Sequence, residues 1–454
     1  MEFALNYKLF NDKSNLEREG EAKASLDDKY LTMTVLFGEP MLFAYTDIVG
    51  ISDQEYKIEI NLTSNERLSL WGVGYQYEDF LFQLYKFRND LLLKYLLMEE
   101  ALVQAGFEAQ YTISDSTNQV TQTGNCQIRF YETSLLILPQ KNDPVRIPYC
   151  YISSMSKQDY TLTIIDEYSQ KIQLTKIGQN FDPAAKTLSD AVNKMVLRTQ
   201  QTIKELVPEA TPFAISKMTA LMKDGRAAKR KDLEVYSSDF WPRLTKKIDE
   251  AGMTQEYEFL NSLSVKDQIS VGIKRGLMGS LTGTYTWLLF PLLDAGTRKL
   301  RNTIAIEAFN NAENTGQPNS ITEDTDETGM QQKQNTTGAT YFFRITGRKE
   351  YLQDEREESL AQELDGFIKS INRAMIEVNF RREPIYLSEN QLQSTEYTQY
   401  RFAIARIPSL RVLRNLFVGR VIHSSIEQWK ADVASLLAFN NKNIDDTEKW
   451  SKGD

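Results

Sequence analysis

Set against itself at an offset of 104 residues, without a gap, the first 208 residues of this chain match at eighteen positions. The identities include Phe3/Phe107, Tyr7/Tyr111, Gly20/Gly124, Leu31/Leu135, Tyr45/Tyr149, Tyr56/Tyr160, Ile60/Ile164, Gly74/Gly178 and Asn89/Asn193. Chance gives about six, so a repeated structural unit is expected. The hydrophobic register strengthens this. Ile58, Ile60 and Leu62 alternate with polar residues, and Leu162 and Ile164 do the same in the second copy. Met41, Phe43 and Tyr45 match Val145, Ile147 and Tyr149, again at period two. Such alternation marks strands with one buried face.

Each copy then changes period. Tyr77, Leu81, Leu84 and Leu91 fall at helical spacing, as do Phe181, Ala185, Leu188, Val192 and Met195. Asp182–Pro183 is a good helix start, since Asp caps free amides and Pro fits the first turn. Gly74 and Gly178 precede these helices where the chain must turn sharply. Six or seven short strands closed by one amphipathic helix are predicted for residues 1–104 and again for 105–208.

That order resembles the pleckstrin-homology-like superfold, the bacterial PH-like and GRAM-like modules in particular. The resemblance rests on LSLWGVGYQYEDFLFQLYKFRN and IQLTKIGQNFDPAAKTLSDAVN, with FAYTDI and IPYCYI upstream. It covers residues 1–208 and implies two tandem β-barrels, each plugged by its last helix, of a kind that binds peptides. An unrelated small barrel capped by a helix has the same pattern.

Residues 209–454 read as a different, α+β region. SDFWPRLTKKIDEAG should form a helix capped by Ser238 or Asp239, with Trp241, Leu244 and Ile248 on one face. QISVGI and YTWLLFPLL read as buried strands joined through GLMGSLTG, and polar residues 310–339 as a mobile loop. TYFFRI is expected as a strand, then a helix with Leu360, Leu364, Phe367, Ile371 and Met375 on one face. PIYLS and YRFAIARI read as strands, followed by a short PSLRVLRNLF segment and a last helix near Ser425–Leu437. This half does not align to the repeats, although divergent copies of the same fold are left open.

At 454 residues the chain is too long for one core, and about three domains are expected. The formal charge of −9 argues against a surface built wholly to neutralise phosphate. The charge is uneven: residues 1–104 hold 10 Lys+Arg against 18 Asp+Glu, residues 105–208 hold 10 of each. MEFALNYKLF does not read as a signal peptide, and YTWLLFPLL is too short to span a bilayer, so a cytoplasmic protein without a transmembrane segment is expected.

Little in the sequence points to catalysis. The single histidine, His423, precludes a multi-histidine metal site and reads as a partly buried polar residue on a strand. Cys126 and Cys150 read as small buried residues. GLMGSLTG lacks the Gly-Lys-Ser/Thr of a phosphate loop, and Asp324, Asp326 and Glu327 lack the rest of a calcium loop. No catalytic residue, cofactor or metal is assigned.

Two basic stretches are candidate interaction sites. Residues 217–247 include Arg226, Lys229, Arg230 and Lys231, and Arg401, Arg406, Arg411, Arg414 and Arg420 lie in a segment without carboxylates. Arginine suits bidentate contact with carboxylate or phosphate. Alternatively these cations pair with acids of the first module or of the Glu355–Glu363 helix.

A non-enzymatic adaptor or scaffold holding protein partners through the tandem modules is the leading expectation. Nucleic-acid or phosphate binding by the Arg-rich C-terminal half is the alternative. Membrane-lipid recruitment is less favoured, because the first hairpins, KLFNDKSNLEREGEAK and TISDSTNQVTQTGNCQIR, are mixed in charge or nearly neutral. An enzyme using carboxylates in the second half would need a cleft holding two of them.

Overall fold

A computed structural model describes residues 2–95, 100–275, 284–294, 298–311, 338–347 and 357–439. The segment GLMGSLTG, residues 312–337 of the expected mobile loop, and with them Asp324, Asp326 and Glu327, lie outside the described residues. The chain forms two compact units, Met1–Ala191 and Val192–Asp454.

In the first unit, strands β1 (Glu2–Phe10), β2 (Leu16–Leu26), β3 (Tyr30–Val35), β4 (Met41–Ala44), β5 (Ile48–Gln54), β6 (Lys57–Leu62) and β7 (Arg67–Trp71) precede helix α1 (Tyr77–Tyr95). The same series follows as β8 (Leu102–Ser114), β9 (Val120–Tyr131), β10 (Ser134–Pro139), β11 (Val145–Pro148), β12 (Ile152–Gln158), β13 (Thr161–Asp166), β14 (Lys171–Thr175) and α2 (Phe181–Leu206). From the third strand of each copy to the start of its helix, element starts correspond at the 104-residue offset. Both sheets are antiparallel and share one order, β4-β3-β2-β1-β7-β6-β5 and β11-β10-β9-β8-β14-β13-β12.

The two end strands of each sheet are consecutive in the chain, joined by a single helical turn, Tyr45–Asp47 or Tyr149–Tyr151. From Ala44 to Ile48 the backbone reaches at most about 14 Å. A flat seven-stranded sheet is about 29 Å wide. Each sheet is therefore curled until its ends approach. The order is linear, however, and no ladder between β4 and β5 closes it among the described residues.

Inside the first curl lie Phe3, Leu31, Ile48, Ile58, Ile60, Leu68 and Leu70, all fully buried, with Phe80, Leu81 and Leu84 of α1. Each such side chain contributes about 1.5–3 kcal/mol on burial. Phe3 meets Phe80 edge-on at 5.1 Å. Ile60 pairs Leu68 and Ile164 pairs Ile172, so these repeated residues hold equivalent places.

The other identities have local causes. Tyr7 pairs across the ladder with Gly20, and Tyr111 with Gly124, each ring within contact of where a glycine Cβ would stand. An aromatic ring covering a strand glycine restores lost packing. The two-residue turns Glu55–Tyr56 and Asp159–Tyr160 have positive φ at both positions, matching the twist of the flanking strands. Tyrosine is costly there, but Tyr56 packs edge-on against Tyr77 at 5.3 Å and Tyr160 against Phe181 at 5.7 Å.

In the second unit, Ile203 and Leu206 at the end of α2 join a core with α3 (Pro212–Met222), α4 (Arg230–Glu234), α5 (Phe240–Glu250) and α6 (Thr254–Ser262). Its antiparallel sheet runs in chain order: β15 (Ala228–Lys229), β16 (Ser270–Arg275), β17 (Thr284–Leu293), β18 (Leu300–Asn311), β19 (Ala339–Phe343) and β20 (Phe417–Ile422). One face, with Leu288, Phe290, Ala305 and Phe342, packs with Trp241, Leu244, Tyr257 and, from α11 (Ile426–Phe439), Trp429. The other meets α7 (Glu357–Glu377), through Phe343 on Phe367, and the chain beyond it, through Trp287 on Phe380. The long apolar run of β17 is thus explained, since a central strand between two helical layers is buried on both faces.

Two expected strands are helical. Pro384–Tyr386 of PIYLS fall in α8 (Glu383–Tyr386), with Pro384 in its first turn, and Tyr400–Arg406 of YRFAIARI fall in α9 (Thr398–Arg406). Phe402, Ala403 and Ile407 are its buried positions and share one helical face, whereas Tyr400, Phe402 and Ile404 imitate a period of two over a short window. Pro408 then opens α10 (Pro408–Leu416), the short PSLRVLRNLF segment.

Gly74 and Gly178 both have φ +66° at the strand-to-helix corner, with open space where a Cβ would lie. A Gly74→Ala or Gly178→Ala change therefore meets no clash and should cost about 1–2 kcal/mol of backbone energy alone. Denaturant melts of the two variants should show similar losses; a much larger loss at one would mean that the corners are not equivalent.

Candidate functional site

The first two strands of each copy form an arm longer than its neighbour. β1 pairs β2 from Glu2↔Ser25 to Phe10↔Leu16, whereas β3 pairs β2 only from Ala22↔Val35 to Leu26↔Leu31. The outer edge of Leu16–Glu21 therefore meets no strand among the described residues. In the second copy β10 stops at Pro139↔Cys126, leaving the outer edge of residues 120–124 open in the same way. The arm tips are built alike. Asn11 Oδ1 accepts from the amides of Lys13 and Asn15 at 3.1 and 2.9 Å, and Asp115 Oδ1 from those of Thr117 and Gln119 at 2.8 and 3.0 Å.

Beside each arm lies the loop after the third strand, and here the copies part. The second loop seats on the first copy. Lys141 Nζ is 2.8 Å from Glu78, Asn89 Nδ2 donates to the Asn142 carbonyl at 2.8 Å, and the buried Arg88 donates to Asp143 at 2.5 Å. The first loop carries Leu36 and Phe37, 80% and 94% exposed, where the second has Gln140 and Lys141. With Glu17, Arg18, Glu19 and Glu39 it lines an open groove of about 690 Å³ along the unpaired edge of β2. Isolated exposed apolar side chains are ordinary; here Phe37 lines the groove, and Leu36, next to it in the chain, is exposed as well. The sequence signal for it is the difference between copies, VLFGEP against LPQKNDP.

The candidate basic residues are dispersed over several elements. Arg414 is 5% exposed and donates to the carbonyls of Pro384 and Ile385 at 2.9 and 3.2 Å and to Glu389 at 2.8 Å. Arg401 reaches Gln393 at 3.4 Å, Arg406 lies over Phe402, and Arg420 lies 3.9 Å over Tyr386. Arg411 is exposed and donates to the Ala405 carbonyl at 2.8 Å. Of the other stretch, Lys229 pairs with Asp365 of α7, and Arg230 binds Glu234 at 2.7 Å while covering Trp241. Arg226 is half-buried and Lys231 exposed. Charge reversal at Arg414 would bury a carboxylate against two carbonyls, so Arg411→Glu is the cleaner probe of binding there.

His423 follows β20, where its amide donates to the Gly338 carbonyl at 2.7 Å. Its Nε2 lies 3.0 Å from Glu307 Oε2 and 3.3 Å from Thr340 Oγ1. Thr340 donates to Glu307 at 2.6 Å and accepts from Trp429 Nε1 at 3.1 Å. A nucleophile–base–acid relay needs its hydroxyl and its carboxylate on opposite imidazole nitrogens. Here both meet Nε2, and the arrangement is that of a structural network. Cys126 and Cys150 are buried, and burial pushes the Cys126 thiol up to about 12. Among the described residues no group of three or more His, Cys, Asp or Glu could hold a metal ion, and no helix is long and apolar enough to cross a membrane.

No protein-family model and no curated protein matches the chain. Solved structures similar to part of it include the Spt16D–Pob3N heterodimer. The identity is 13%, the match covers 37% of this chain and 83% of that one, and the TM-score is 0.15.

Burial works against a charged His423, but the hydrogen bond and charge of Glu307 outweigh it and raise the pKa. Because the folded value exceeds the unfolded one, this pair stabilises the fold fully below the usual value of about 6.5 and progressively loses that contribution as pH rises through the raised pKa. The chain has one histidine, so its imidazole proton resonance can be followed alone. The midpoint should lie above about 6.5 and fall in Glu307→Gln; a midpoint unmoved by that change would show that Glu307 does not control it.

Proposed function

We propose that this chain is a non-enzymatic intracellular adaptor whose tandem pleckstrin-homology-like modules hold protein partners along open strand edges. The unpaired outer edge repeated at residues 16–21 and 120–124 carries the reading. An extended segment laid on such an edge gains main-chain hydrogen bonds, while flanking side chains select its sequence. The curled seven-stranded order followed by a helix supports the pleckstrin-homology-like assignment. Two edges in one chain would raise the effective concentration for a partner that engages both. A phosphate-binding reading of the second half has less in its favour, because Arg414 is committed to the interior and Arg401, Arg406 and Arg420 to their neighbours.

Affinity purification from the native host tests the proposal with two pairs of proline variants, Arg18→Pro with Gln122→Pro and Glu19→Pro with Thr123→Pro. At adjacent strand positions, one pair points its N–H outward and blocks the edge, and the other cuts the inner ladder. Thermal melts tell them apart. Partners recovered stoichiometrically with the full chain should be lost with the stable, edge-blocked pair. Recovery of the same partners by that pair, or of none by the parent, overturns the reading.

A further inference from the structure

We infer that the open edge of β2, with the Leu36–Phe37 loop beside it, receives an extended basic segment of a protein partner bearing a bulky apolar side chain. The inference rests on the adaptor reading and specifies the ligand of one of its two edges. Three observations converge. The edge of residues 16–21 has main-chain groups to offer, because β3 leaves β2 at Ala22. Period-two alternation sends Glu17, Glu19 and Glu21 to one side of the strand, and all three are exposed. Lys8 engages Glu19 at 3.1 Å, so this row is only partly neutralised within the arm. Phe37, almost fully exposed, lines the same groove and offers a face to an apolar anchor.

The second copy shows that none of this is needed for folding. Its arm builds the same turn and the same ladder, yet carries Thr121, Thr123 and Asn125 where the first has the glutamates. Its loop has Gln140 and Lys141 in place of Leu36 and Phe37. The acidic row and the apolar loop are thus additions to one copy, which holds a net −8 against zero in the other.

The charge also selects the occupant. Two β2 edges brought together would set like-charged rows opposite each other, which is destabilising, so a second copy of this chain fits poorly. Anionic headgroups and nucleic-acid phosphates are repelled by the same row. A strand with Lys or Arg at alternate positions meets the glutamates while its backbone completes the edge.

A random dodecapeptide library displayed on phage, panned on the full chain, tests this. Enriched peptides should be basic with an apolar anchor. Their affinity should fall by about tenfold or more in a Glu17→Lys/Glu19→Lys/Phe37→Ser variant, more than truncation of most interface residues costs. Bound peptide should slow hydrogen exchange at residues 16–21, and N-methylation of one alternate set of peptide amides should abolish binding without any change to the protein. Enrichment of acidic or uncharged peptides, binding that survives the variant, protection elsewhere, or pairing of the edge with a second copy overturns the inference. Host partners retained by this variant would leave the adaptor reading standing while the inference fails; an absence of host partners would remove the reading itself.

Discussion

The turn between β4 and β5 governs the first unit. It joins the two ends of a seven-stranded sheet by only three residues, so the sheet has to bend back on itself. Bending gives it an inside, and the inside needs filling at one end. This is the work of α1, whose Phe80, Leu81 and Leu84 complete a core that the strands alone leave exposed. The same turn recurs at Tyr149–Tyr151, and Tyr45 and Tyr149, identical between copies, are both fully buried at this corner. Residues retained across the duplication are therefore mainly those that the curl requires: inner-face aliphatics, corner tyrosines, the covered glycines and the glycine that turns each chain into its helix.

What has diverged sits on loops and outer faces. At the loop after the third strand, one copy spends polar residues on holding the other: Lys141, Asn142 and Asp143 engage Glu78, Asn89 and Arg88. The burial of Arg88 makes this pairing more than a surface contact, since a guanidinium withdrawn from water requires a partner. The corresponding loop of the first copy carries Leu36 and Phe37 exposed in place of Gln140 and Lys141. A duplicated scaffold thus carries a polar loop that holds the other copy and, at the equivalent place, an exposed apolar one.

The repeat was legible because a period of 104 residues and a two-residue alternation reinforce each other, and Ile60 and Ile164 needed no structure to be matched. The α7 face through Leu364 and Ile371 and the continuous apolar run of β17 were equally plain. Residues 384–388 and 400–407 imitate strands because five to eight residues are too few to separate a period of 2 from one of 3.6, and only Pro384, in the first turn of α8, is a local helix signal. The arginines were visible as a composition, but composition cannot distinguish Arg414, whose guanidinium serves two buried carbonyls, from Arg411 at the surface. The Glu307–His423 contact joins residues 116 apart in sequence and has no local pattern to betray it. The open edge of β2 was hidden for a different reason: it depends on where β3 stops pairing, a matter of register that no single strand encodes.

Charges along an open edge have a simpler explanation, which is that they keep like chains apart. Glu17, Glu19 and Glu21 would serve that purpose unaided. The second copy bears on this, for its equally open edge at residues 120–124 carries no charge and has Val120 exposed. If protection were the general requirement, it would be expected on both arms. Protection also gives no reason for Phe37, since an aromatic ring left in water beside an open edge invites the very association that the glutamates would prevent. Acid row and exposed ring are at odds as a guard and consistent as a receptor, in which repulsion excludes the wrong strand and the ring retains the right one.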